Sequence, residues 1–202
     1  MGRHSQSISS RVLQRIHRHG RGWVFTSDDF DDLADQDPVA TVLKRLARSG
    51  QIRRLDRGLY DYPRKHPGLG ELAPTSDEVA KAVAGRAARL QPSGGYALNL
   101  LGLSPQVPMR IVYLTDDLAR SIQIGNQRIV FRSTTPKNMA TAGRTSGLVI
   151  QALRHLGRDK VSDETIAQLR NRLSNEDRNR LLKDVQYAPA WVAKVMRQIA
   201  AE

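Results

Sequence analysis

Cysteine is absent from the chain. Its absence removes disulfides and thiolate metal sites, and the composition fits a reducing cytoplasm. No apolar run is long enough to span a bilayer, and the first residues hold no apolar signal core. A cytoplasmic protein without a membrane partner is therefore expected. Aromatic residues are few and scattered. Trp23, Trp191 and the tyrosines form no stripe, so they read as core and not as platforms for stacked bases. No Gly-Lys-Ser/Thr of a phosphate-binding loop occurs, and GLGELA (68–73) supplies only two glycines of a dinucleotide fingerprint. His4, His17, His19, His66 and His155 show no ligand spacing; His17 and His19, two apart on a helix, point to different sides. No metal, no cofactor and no catalytic residues are expected.

Two short features keep alternative readings. The amides of Ser93-Gly94-Gly95, ahead of a helix, can cradle an anion or simply turn the chain. Asp116 and Asp117 follow an apolar strand, where carboxylates sometimes bind metal. Adjacent strand-end residues diverge, however, and no Asp-x-Asp accompanies them, so a turn or capping role is the plainer reading.

What the chain does have is positive charge: 32 basic against 20 acidic side chains, a formal +12. A surplus of that size speaks about partners, namely nucleic acid, an acidic protein or an anionic surface. It divides as +5 over residues 1–66, +2 over 67–133 and +5 over 134–202. The last portion is interleaved with acids on helices, as in RNRLSNEDRNRLLKD, and reads mostly as a solvated, ion-paired face.

The periodicities predict two domains in an α+β chain. Ile8, Val12 and Ile16 form a helical face ended by Gly20, and GWVF (22–25) is a short strand. Thr26 or Ser27 caps a second helix, SDDFDDLA. A third starts at Asp37-Pro38, with Val39, Val42, Leu43 and Leu46 inward and Gly50 at its end. Two strands follow around a three-residue loop, Asp56-Arg57-Gly58. This order is that of a winged helix-turn-helix over residues 1–63. Residues 64–75, RKHPGLGELAPT, read as a linker. Residues 76–202 read as a small α+β domain ending in a helical segment. Its first helix, with Thr75-x-x-Glu78 as capping box, is expected to run to about Leu90, and QPSGG (91–95) to turn the chain. Strands are predicted in 108–116 and around Gly125-Asn126-Gln127. Helices are predicted from Ser146, Ser162, Ser174 and Pro189.

With the apolar residues of the third helix inward, Thr41, Lys44, Arg45 and Arg48 face out. In a helix-turn-helix that face enters the major groove, where Lys and Arg meet guanine edges. Arg53, Arg54 and Arg57 on the hairpin would grip phosphate or the minor groove, and so position the protein. These seven residues are the expected contacts to double-stranded DNA. The competing reading is a protein-docking module with solvated arginines. DDFDDLADQD places six aspartates just before the third helix; those not used in caps must face away from phosphate.

The stretches GRGWVFT (20–26), IRRLDRGLYDYP (52–63), LQPSGGYALNLLGLS (90–104), QVPMRIVYLTD (106–116), IGNQRI (124–129), AGRTSGLVIQALRHLG (142–157) and YAPAWV (187–192) carry a resemblance that runs through nearly the whole chain. It resembles the AbiEi-type antitoxins of AbiE-like type IV toxin–antitoxin systems, in particular a short, DUF6088-like branch with a winged-helix start. The resemblance implies an antitoxin of a two-gene phage-defence locus. Its winged helix would bind inverted repeats in its own promoter, as a dimer or cooperative monomers, and repress transcription. The carboxyl-terminal domain would counteract a nucleotidyltransferase-like toxin, with or without a stable complex. The resemblance carries over no catalytic residues. The other expectations are an antitoxin that works by docking its basic helices on an acidic toxin, a plain transcriptional regulator, and an enzyme acting on toxin or RNA through Ser93–Gly95 and Asp116.

Overall fold

A computed structural model describes residues 7–85 and 88–201. The fold is mixed α+β and comprises two compact units, Met1–Arg86 and Ala87–Glu202.

The first unit starts with α1 (Ile8–His19), capped by the Ser7 hydroxyl, which accepts from the Ser10 amide. Val12 and Ile16 are fully buried, and Gly20 ends the helix at φ +83°. β1 (Val24–Phe25) follows. The predicted second helix is only a single 3-10 turn, Ser27–Phe30. Aspartate competes with the helix ladder for local backbone donors. Here Asp29 is spent on the capping box with Thr26, and Asp32 is drawn onto Arg15 of α1. α2 (Gln36–Arg48) begins earlier than expected, with Asp35 and not Asp37 at the N-cap. Pro38 sits in its first turn, where no amide is needed for the ladder.

β2 (Arg53–Asp56) and β3 (Leu59–Asp61) form an antiparallel hairpin that β1 extends, in the order β1-β3-β2. Asp56 already pairs with Leu59, so the loop is Arg57-Gly58, one residue shorter than expected, with Gly58 at φ +73°. The core gathers Val12, Ile16, Phe25, Phe30, Leu43 and Tyr60. Phe25 and Phe30 meet edge to face at 5.7 Å, a favoured aromatic geometry. Val42, expected inward, is half-buried.

Residues 64–75 are not a linker. They form a small hairpin, β4 (Lys65–His66) and β5 (Gly70–Glu71), closed by Leu72 N donating to Arg64 O at 2.8 Å. The capping box at Thr75 then starts α3 (Ser76–Ala84), and Glu78 of that box also pairs with Arg64 at 2.5 Å. Gly85, at φ +69°, ends α3 well short of Leu90. The compact first unit therefore extends to residue 86 and not 63. Pro and Gly content misled here because the segment's backbone bonds are local to a hairpin.

The second unit contains β6 (Leu90–Ser93), α4 (Gly95–Leu100), β7 (Arg110–Thr115), β8 (Arg120–Ile124), β9 (Gln127–Ser133) and α5 (Pro136–Met139). Four longer helices follow: α6 (Thr145–Leu156), α7 (Asp163–Arg172), α8 (Asn175–Asp184) and α9 (Ala190–Ala200). The sheet order is β6-β7-β9-β8, with β7 and β9 parallel and the outer pairs antiparallel. QPS, expected as a turn, is instead an edge strand, a position where proline is tolerated. Ser162 and Ser174 cap α7 and α8 as expected. Leu153, Leu169, Leu181 and Met196, all fully buried, form the heart of the helical layer. Among the described residues no helix is long and apolar enough to cross a membrane.

Gly147 lies where α6 meets β6 closely. A Cβ there would come within 2.4 Å of the Thr141 carbonyl oxygen and 2.2 Å of Gln91 Oε1. An exposed helical Gly→Ala change stabilises by about 1 kcal/mol. Gly147→Ala is expected to do the opposite, lowering stability by about 1–3 kcal/mol through overpacking. Urea denaturation checks this; a neutral or stabilising alanine contradicts it.

Candidate nucleic-acid interface

The buried side of α2, Val39, Leu43 and Leu46, fixes which residues it exposes. Thr41, Lys44, Arg45 and Arg48 all face solvent, on one strip by their spacing of three and four. Their side chains are engaged differently. Thr41 Oγ1 donates back to the Asp37 carbonyl at 3.0 Å. Arg45 Nη2 donates to Ser9 Oγ on α1 at 2.6 Å, which draws it to the α1 side. Arg45 and Arg48 occupy the last turn, where the helix dipole favours a cation.

The three hairpin arginines also divide. Arg54 and Arg57 are exposed. Arg53 is turned the other way: Nε donates to Asp61 Oδ1 at 3.0 Å and Nη2 to Oδ2 at 2.6 Å, while Nη2 also reaches the Leu72 carbonyl at 2.8 Å. Asp61 is only 1% exposed. Burial pushes its carboxyl up, the Arg53 fork opposes that, and the same pair raises the guanidinium. Arg53 thus leaves the expected set of outward cations and acts as a tie within the sheet.

Lys44, Arg54 and Arg57 come together. They line one cleft of about 420 Å³ between α2 and the hairpin, with Ser27, Leu43 and Tyr60 among the other walls. Gly58 lines it too, at a φ that suits glycine and holds Arg57 at the tip. No carboxylate lines this cleft among the described residues.

The acidic turn is largely consumed by its own contacts. Asp29 accepts from the Thr26 amide at 2.9 Å. Asp32 receives both Arg15 terminal nitrogens at 2.5 and 2.6 Å, and Arg15 also donates to the Asp29 carbonyl. Asp28 accepts from Ser27 and Gln36. The Arg15 fork holds the Asp32 carboxyl at about 2.

Sequence reasoning placed Arg53 with the outward cations and overlooked Asp61. Counting outward from the Arg57-Gly58 turn sets Arg54 against Asp61; a bulge between Arg54 and Asp56 shifts the register and brings Arg53 there instead. Ser27 and Tyr60 were missed as walls of the cleft, since one reads as a cap and the other as a core aromatic. His17 lies against Tyr62 and His19 stacks on Trp23 at 3.9 Å. Asp116 accepts from the Arg89 side chain at 2.7 Å and its amide at 2.8 Å, which hold that carboxyl below its ordinary range. Those contacts give Asp116 a structural role at the strand end.

Residues 11–181 match the model of a family of unknown function (DUF6088), and the chain belongs to that family. No curated protein matches it.

Two outcomes follow from the pairings. Arg53→Ala strands a buried carboxylate and should cost about 1–3 kcal/mol, whereas Arg57→Ala should leave the unfolding midpoint within error. Equal midpoints for the two variants contradict this assignment. Asp32 is depressed from 3.8 to about 2 in the folded chain. Its contribution to stability is present above the unfolded value and is lost as pH falls through about 2. In Asp32→Asn, acid titration of stability should lack this component; an unchanged acid limb tells against the pairing.

Proposed function

We propose that the first unit works as a winged helix-turn-helix that binds duplex DNA. α2 enters the major groove, and the β2–β3 hairpin is the wing that grips the flanking backbone. The observation that carries this reading is the shared cleft of Lys44, Arg54 and Arg57, free of carboxylates, at the junction of helix and hairpin. Lys44 and Arg48 reach toward base edges, with Thr41 beside them. Arg54 and Arg57 hold phosphate, and Arg45 contributes once it exchanges Ser9 for DNA. Aspartates in the turn before α2 are tolerable because Asp29 and Asp32 are already engaged inside the unit, by the Thr26 amide and by Arg15.

On the resemblance of the stretches named above, this DNA binding serves an antitoxin. The chain represses its own promoter at inverted repeats and counteracts a nucleotidyltransferase-like toxin through its second unit, in the cytoplasm and without catalysis of its own. Paired half-sites imply two copies on the operator. The neighbouring reading frame tests the antitoxin half: co-expression of a downstream toxin gene should arrest growth, and this chain should relieve the arrest. Failure to relieve it removes the antitoxin role and leaves a regulator.

Gel shift and salt titration on the upstream DNA test the repressor half. Alanine at Arg54 or Arg57 is expected to weaken binding and reduce the salt slope by about 1, and alanine at Lys44 to weaken operator binding. Lys44→Ala should also narrow the gap between operator and random DNA, while Arg57→Ala weakens both alike. No retardation of the native promoter at low salt overturns the proposal.

A further inference from the structure

The second unit holds a larger cavity than the first, about 620 Å³, on one face of its sheet. Three guanidiniums line it: Arg110 from β7, Arg132 from β9 and Arg154 from α6, with His155 beside them. No Asp or Glu is among its walls. By unit the formal charge divides as +4 and +8, so the greater surplus lies here.

The strand register sets one of these arginines, Arg110, against a like charge. β7 and β9 run parallel, with Arg110 opposite Arg128 and Leu114 opposite Arg132. Side chains alternate along a strand, so Arg110, Arg128 and Arg132 share one face. Like charges directly opposite on a sheet are destabilising. Other arginines of this unit have taken partners: Arg89 has Asp116, Arg144 has Asp184, and Arg180 has Glu176. The side chains of Arg110 and Arg132 make no hydrogen bond or ion pair among the described residues. Arg154, by contrast, is held in place by Asn138 Oδ1 at 3.1 Å. Ser93, tied to Gln151 at 3.2 Å, adds a neutral hydroxyl to the rim.

We propose that this cavity binds a phosphate-bearing ligand, with Arg110, Arg132 and Arg154 as the clamp. Its volume lies within the range of small-ligand sites, about 300–1,000 Å³. Guanidinium forks suit phosphate oxygens, and three of them supply more positive charge than one carboxylate can balance. Phe, Tyr and Trp are absent from its walls, so recognition rests on the phosphate. The phosphate can come from a free nucleotide or from the backbone of a single-stranded RNA.

The test uses the full chain at fixed ionic strength and titrates pyrophosphate, ATP, CTP and a short single-stranded RNA by calorimetry. Saturable binding of pyrophosphate, with ATP and CTP equal, is expected, and Arg110→Gln or Arg132→Gln should weaken it roughly tenfold or more. Arg110→Gln should keep or raise the unliganded melting temperature, since it removes a like charge opposite Arg128. Lys44→Ala should bind pyrophosphate normally, which separates this site from the DNA reading. Binding of the RNA alone, lost in the same variants, supports the phosphate site with a polymer as its source. Equal binding by wild type and variants, no saturable binding, or binding of an acidic peptide in place of every phosphate overturns it.

Discussion

The pairing of Asp61 with Arg53 decides how the first unit presents its charge. A nearly buried carboxylate requires a charged partner, and the hairpin register provides only Arg53. Once Arg53 is held inward, strand alternation turns Arg54 outward, and the Gly58 turn carries Arg57 beyond it. The same guanidinium holds the Leu72 carbonyl, so the tie also secures the hairpin of residues 65–71. One ion pair thereby sorts three arginines of similar sequence context into a part-buried tie and two exposed ones, of which Arg54 donates only to the Asp56 carbonyl at 3.2 Å.

A second pairing makes the acidic turn compatible with the basic cleft. Arg15 receives Asp32 through both terminal nitrogens, lies 5.7 Å over the Phe30 ring and donates to the Asp29 carbonyl. This anchors a turn too rich in aspartate to continue as a helix. It also draws one carboxylate toward α1. The turn then leads directly into α2, whose N-terminus is favoured by the remaining acids and whose last turn is favoured by Arg45 and Arg48.

Much of this was legible in the sequence because it is local. Caps at Ser162, Ser174 and Thr75, the glycine at 157, and the apolar spacing of α1 and α2 all act within a turn or two. What failed depended on distant partners. The SDDFDDLA segment has the pattern of a short helix, but Arg15 and Thr26 claim its carboxylates. Residues 64–75 have linker composition, yet Arg53 and Arg64 fix them. The β7–β9 pairing joins parallel strands across β8, which no alternation within either strand reveals. Among the predicted cations, Lys44, Arg54 and Arg57 share the cleft, Arg48 stands on the same helix face, and Arg53 is diverted by a partner eight residues away. The charge of the second unit was read as an ion-paired helical face, because the sheet arginines come together only once the register is known.

Backbone amide chemical shifts, followed while the upstream duplex is titrated into the full chain, test the central claim most directly. The account predicts that residues around Lys44 and around Arg54–Gly58 shift together and saturate at one DNA ratio, while Lys65–Glu71 and the sheet of the second unit stay still. Shifts confined to either the helix or the hairpin, or appearing first at Arg110 and Arg132, would contradict it.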